Sequence, residues 1–157
     1  LADFNVPHMF TPTQTQTQTT EHRMINGSCL CGKVKFQISG EPSSLSYCHC
    51  SRCRKAAGVF SAVLIGKADD LSITQGQDAI ATFKCGPDAK FERCFCKDCG
   101  TSLGDMASGD AYVVAASALD DDPKIRPMLH IHTTSKPDWY DITDDLKKFD
   151  GDYIPEQ

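Results

Sequence analysis

Seven of the nine cysteines in this 157-residue chain fall into three tight groups: Cys29-Leu30-Cys31, Cys48-His49-Cys50-Ser51-Arg52-Cys53 and Cys96-Lys97-Asp98-Cys99. Thiolates this close in sequence are natural chelates for a soft divalent ion. They are poor disulfide partners, because the short backbone between them rarely reaches the geometry a bridge needs. Zinc takes four protein ligands in structural sites and keeps one position open in catalytic ones. The two pairs, Cys29 and Cys31 with Cys96 and Cys99, make one closed site, in which zinc contributes folding free energy directly. Cys48, Cys50 and Cys53 leave a metal one ligand short.

That shortage is where chemistry could occur. A zinc with an exchangeable fourth position lowers the pKa of a bound thiol and polarises a carbonyl. Water, a substrate thiolate or His49 could fill the position, although an imidazole between two ligands is expected to point away. Arg52, Arg54 and Lys55 are expected to offset the negative charge of three thiolates and to hold carboxylates of an anionic substrate; solvated surface charge is the alternative. A competing reading makes the triplet a second structural site completed by Cys85 or Cys94. On a strand, Cys94 would share a face with Cys96, but both lone cysteines read more simply as small buried residues.

Short strands must position these groups. Lys33–Ile38 alternates polar and apolar residues with a period of two. Further strands are expected at 60–65, 71–74, 79–84, 91–96, 111–116 and 129–133, separated by turns such as Gly76-Gln77-Asp78 and the acidic Asp120-Asp121-Asp122-Pro123, read as a solvated turn. One or two helical turns over 51–57 present the triplet, and a short terminal helix is expected over 144–149. Closely spaced strands without a long amphipathic helix make a mostly β domain over 24–157. Residues 1–23 carry a Gln/Thr alternation with little apolar surface and read as a low-complexity arm. His8-Met9 resembles a cloning junction, so part of that arm is an expected tag remnant. Trp139 and Tyr140 read as pocket lining or, for the single Trp, a core plug.

Composition narrows the partners. A net charge of −5 argues against a nucleic-acid binder, which needs a basic face. No apolar run approaches the ~20 residues of a membrane helix. No charged-then-apolar leader is present, and close cysteine groups suit a reducing compartment, so a cytoplasmic location is expected.

Gly27-Ser28-Cys29-Leu30-Cys31-Gly32, the triplet followed by Arg54-Lys55 and Gly58, and Phe95-Cys96-Lys97-Asp98-Cys99-Gly100-Thr101-Ser102-Leu103 resemble, in order and spacing, the glutathione-dependent formaldehyde-activating enzyme family, which also includes centromere protein V. Ser135-Lys136-Pro137-Asp138-Trp139 is similar to a late segment of that family, and the resemblance covers about residues 25–150. It implies a mostly β, Mss4-like fold with two zincs. Cys29, Cys31, Cys96 and Cys99 match the structural ligands, and Cys48, Cys50 and Cys53 those of a second, more labile zinc at the glutathione site. The implied reaction is reversible condensation of glutathione with formaldehyde to S-(hydroxymethyl)glutathione, a carbon–sulfur lyase reaction in reverse. The implied partner is a small thiol, glutathione or an adduct of it. Two alternatives stand beside it: a repurposed member acting on a specialised metabolite, and a non-catalytic zinc module that binds a protein.

Overall fold

The computed structural model describes residues 23–87, 89–106 and 109–153, so all but the last residue of the expected arm lies outside the described residues. The elements in chain order are β1 (Ile25–Ser28), β2 (Lys35–Ile38), β3 (Ser44–Cys48), α1 (Ser51–Ala57), β4 (Ser61–Lys67), β5 (Leu71–Gln75), β6 (Ile80–Lys84), β7 (Glu92–Cys96), β8 (Ser102–Asp105), β9 (Ala111–Ala115), β10 (Leu129–Ile131) and β11 (Lys147–Lys148), with short 3₁₀ turns between some of them. The expected mostly β class holds. Strands β1-β2-β5 form one sheet, and β11-β10-β3-β4-β9-β8-β7-β6 form an eight-stranded second. Among the described residues no helix is long and apolar enough to cross a membrane.

Strand alternation divides the large sheet into two working faces. Leu45, Leu64, Leu103, Tyr112 and Val114 join Ile25, Phe36 and Ile38 from the small sheet in the main core. Burying each such side chain contributes about 1.5–3 kcal/mol. A surface ion pair gives about 1 kcal/mol at most, so this cluster, and not the charged surface, holds the two sheets together. The opposite face, at the β3–β4–β9 centre, carries Ser44, Ser46, Cys48, Val63, Ile65 and Val113 toward a cavity. With seven residues, α1 is too short to persist alone. Cys50 caps it, its Sγ accepting the Cys53 N–H at 3.4 Å.

Three expectations are corrected. No helix forms over 144–149; Lys147–Lys148 instead pairs in parallel with β10, and the Phe149 N–H donates to the His130 carbonyl at 2.9 Å. That segment offers only Leu146 and Phe149 as apolar residues, too few for a helical stripe, whereas the strand satisfies the open edge of β10. Trp139 neither plugs a core nor lines the cavity: it is 70% exposed. The turn closed by the Tyr140 N–H to the Pro137 carbonyl leaves Trp139 outside and turns Tyr140 toward the rings of His49 and Phe60. The acidic run is a clasp on β1 more than a free turn. Asp120 accepts from the Ser28 hydroxyl, and Asp121 accepts from both the backbone and the side-chain N–H of Asn26.

Candidate metal centres and substrate cavity

The two knuckles close in the same way. The Gly32 N–H donates to the Cys29 carbonyl and the Gly100 N–H to the Cys96 carbonyl, both at 2.8 Å. Both glycines sit at φ +74°, the left-handed conformation that wraps backbone round a sulfur pair and that other residues adopt reluctantly. Cys29, Cys31, Cys96 and Cys99 are thereby gathered with all four Sγ atoms within 4.8 Å of one another. The Lys33–Asp98 ion pair at 3.0 Å and the Leu30 N–H on the Thr101 hydroxyl join the knuckles outside the sulfurs. Thr101 also holds the Cys99 thiol down to about 5, through its hydroxyl and then its backbone N–H. Cys31 is pushed up to about 12: a backbone hydrogen bond from Lys33 lowers it, but Cys29 beside it and burial raise it further. Four sulfurs held this close cannot all carry charge alone. A divalent cation would displace their remaining protons to water, and an all-thiolate set of four is a structural zinc's.

Cys48, at the end of β3, Cys50, at the cap, and Cys53, in the first turn of α1, form the second cluster, again within 4.8 Å and all buried. Cys50 and Cys53 stand three residues apart on one helical edge, which is why both reach the end of β3. Thiol hydrogen bonds from Cys48 and then Cys53 draw the thiolate onto Cys50 and hold it far below the usual thiol range. Cys48 is pushed well above that range by Cys50 and Cys53 and then by burial. Neither Cys85, Cys94 nor His49 joins this cluster. Cys94 is buried in the main core near Cys96 but outside both sulfur groups, beyond a register shift between Cys94 and Phe95. Cys85, expected to be a small buried residue, is instead exposed, in the turn after β6 on the wall of the cavity.

That cavity, of about 830 Å³, is lined by all three triplet sulfur residues. Of the basic residues adjacent to the triplet, Arg52 lines it and Arg54 and Lys55 do not. The Arg54 Nε is instead buried without a hydrogen-bond partner. Charge faces the triplet from two elements: Arg52 helps to hold the Cys50 thiol down, after Cys48 and Cys53, and from β7 the Arg93 Nη2 donates to the Cys53 Sγ at 3.1 Å. Alternation on β7 sends Cys94 and Cys96 to the core and Arg93 to the opposite face. Lys90 and His132 also reach the cavity, and both contact the Asp152 carboxylate, at 4.0 and 2.9 Å.

His49 turns away from the metal side, as expected of an imidazole between two ligands. It enters a hydrogen-bonded chain, running from buried His49 and His130 out to exposed Asp144, that the sequence did not reveal. Asp144, acceptor-only when ionised, takes the His130 Nε2–H at 2.9 Å; with a neutral His130 ring the Nδ1 accepts, and the His49 Nε2–H donates to it at 2.8 Å. Burial, followed by His130 and Lys136, holds His49 below the usual imidazole range, so it is neutral at pH 7. The His49 backbone N–H donates to the Ile131 carbonyl at 3.0 Å, so side chain and backbone both tie the loop between Cys48 and Cys50 to β10. A His130→Leu substitution strands the buried His49 N–H and is expected to cost about 1–3 kcal/mol, read as a lower urea midpoint at unchanged slope. The His130 hydrogen bond lowers the Asp144 pKa. This contribution is therefore complete above the ordinary aspartate range and is lost as acid protonates Asp144.

Comparison with known proteins agrees with this geometry. A crystal structure of a Rhodobacter sphaeroides protein superposes with a TM-score of 0.52 at 21% identity, over 62% of this chain and 89% of that one, a likeness of fold. An uncharacterized lyase of Schizosaccharomyces pombe is 28% identical over 133 residues, spanning 82% of this chain and 92% of that protein. A provisionally named glutathione-dependent formaldehyde-activating enzyme of Aspergillus flavus is 36% identical over 78 residues, 48% of this chain and 40% of its own length, and an Aspergillus oryzae protein of the same name matches equally. Residues 24–135, which hold all seven clustered cysteines, match the family model described as glutathione-dependent formaldehyde-activating enzyme. The chain therefore belongs to the glutathione-dependent formaldehyde-activating enzyme family.

Proposed function

We propose that this chain is a zinc-dependent carbon–sulfur lyase that forms and cleaves S-(hydroxymethyl)glutathione from glutathione and formaldehyde. The observation that carries the reading is the second sulfur cluster: three buried thiols converge, no fourth protein ligand joins them among the described residues, and a cavity of about 830 Å³ opens directly onto them. Cys29, Cys31, Cys96 and Cys99 would hold one zinc, and Cys48, Cys50 and Cys53 a second. Bound at the triplet, zinc supplies Lewis acidity and one exchangeable position beside the cavity.

The chain's own residues supply the rest. Arg93 offsets charge on Cys53, and Arg52 on the cavity wall suits a carboxylate of the thiol substrate. Ser44 and Ser46 present hydroxyls from one edge of β3 to the peptide part of glutathione. Condensation forms one carbon–sulfur bond while the thiol proton moves to the carbonyl oxygen; cleavage reverses both changes. Exchange spectroscopy on an equilibrium mixture of formaldehyde, glutathione and adduct tests this. The interconversion rate is expected to rise in proportion to zinc-loaded protein, and no acceleration at two zincs per chain would remove the proposed activity.

A further inference from the structure

The cavity floor is two-toned, and its second tone has no use in a formaldehyde adduct. Antiparallel β3 and β4 place Cys48 opposite Ser61, Ser46 opposite Val63 and Ser44 opposite Ile65, and β9 sets Val113 against Ile65. Alternation turns all of these side chains to the cavity, while Leu45 and Leu64 between them enter the main core. At about 3.4 Å per residue, the four steps from Cys48 to Ser44 make a floor roughly 14 Å long. From the sulfurs outward it is a lane of serines on β3 beside a lane of Val63, Ile65 and Val113. At the mouth, Phe91, Met128 and Tyr153 line the same cavity while remaining 51%, 53% and 46% exposed. Large apolar side chains left in water around one concave opening mark a surface made to be covered.

Glutathione is a polar peptide. Its amides and carboxylates find partners on the serine lane and at Arg52, and not on Val63, Ile65 or Val113. A hydroxymethyl group is one carbon and one oxygen and covers none of the apolar lane. We infer that the thiol adduct best fitted to this cavity carries an apolar substituent of several carbons on the carbon bonded to sulfur, so that its parent carbonyl compound is a larger aliphatic or aromatic aldehyde. The chemistry is unchanged: the thiol adds to the aldehyde, one carbon–sulfur bond forms, the carbonyl becomes an alcohol, and no oxidant or reductant is needed. The inference rests on the reading of the triplet cavity as a site for sulfur adducts.

Titration calorimetry of the zinc-loaded chain with S-methyl-, S-propyl- and S-hexylglutathione tests it, because these thioethers do not decompose. The dissociation constant is expected to fall about fourfold for each methylene seated on the lane. Val63→Thr, nearly the same size with one hydroxyl, is expected to flatten that slope. Equal affinity for the methyl and hexyl compounds in the unsubstituted chain overturns the inference while leaving the glutathione reading in place. S-hexylcysteine separates the two: if it binds with the same sensitivity to Val63→Thr while glutathione and S-methylglutathione do not bind, the glutathione reading fails and the apolar lane stands.

Discussion

Cys96→Ser is expected to leave the domain without a cooperative unfolding transition at 25 °C. Cys96 is fully buried at the end of β7, and its Sγ lies 3.8 Å from that of Cys31, 65 residues earlier. The four-sulfur cluster ties the turn after β1 to the turn after β7, which belong to different sheets. Structural zinc in small domains contributes about 10–16 kcal/mol of apparent binding free energy. The net stability of a domain is about 5–15 kcal/mol. Losing one of four thiolate ligands removes much of the first quantity and so most or all of the second. The serine hydroxyl adds to the loss, since it sits in an apolar core without a metal to take its lone pair. Circular dichroism melts together with zinc content check this, and a Cys96→Ser chain that melts like the zinc-loaded unsubstituted protein would show that this cluster does not clamp the fold.

What was legible in the sequence follows from the range of each signal. The sulfur groups could be read because a chelate is local: Cys29 and Cys31, or Cys96 and Cys99, must lie on one tight turn whatever surrounds them. The strand holding Phe36 could be read from its alternation and those holding Leu64 and Val114 from short apolar, β-branched runs, signals that are also local. Arg93 was missed although β7 was expected. Its period-two offset from Cys94 and Cys96 places it on the other face, but only the strand order β3-β4-β9-β8-β7 puts that face near Cys53. Arg54 and Lys55 drew attention by adjacency, yet each helical residue turns the side chain by ~100°, and α1 carries them off the edge that presents Cys50 and Cys53. The chain of Asp144, His130 and His49 left no trace in the sequence, because it joins three segments through parallel pairing at one edge of the sheet, with no spacing rule behind it.

Cys50→Ser is expected to do the opposite of Cys96→Ser: to spare the fold and abolish the chemistry. Cys50 carries the charge in the triplet, held there by Cys48 and Cys53. Its removal leaves two thiols that bind zinc too weakly to survive dialysis, so zinc content is expected to fall from two per chain to one. The local structure survives because serine is among the best helix caps and can accept the Cys53 N–H in place of sulfur. The second cluster is also small, Cys48, Cys50 and Cys53 with Val63, and does not share buried residues with the main core. A loss of about 1 kcal/mol there corresponds to a melting shift of about 2–4 °C in a chain of this size. Enhanced exchange between glutathione, formaldehyde and adduct should return to the rate in buffer alone. Excess zinc should not restore it, because a ligand and not merely the ion is missing. Metal analysis, melting and exchange spectroscopy on one preparation decide the matter together. If Cys50→Ser keeps two zincs, or keeps its exchange enhancement with one, the triplet is not the reacting centre, and the cavity it opens onto serves some other end.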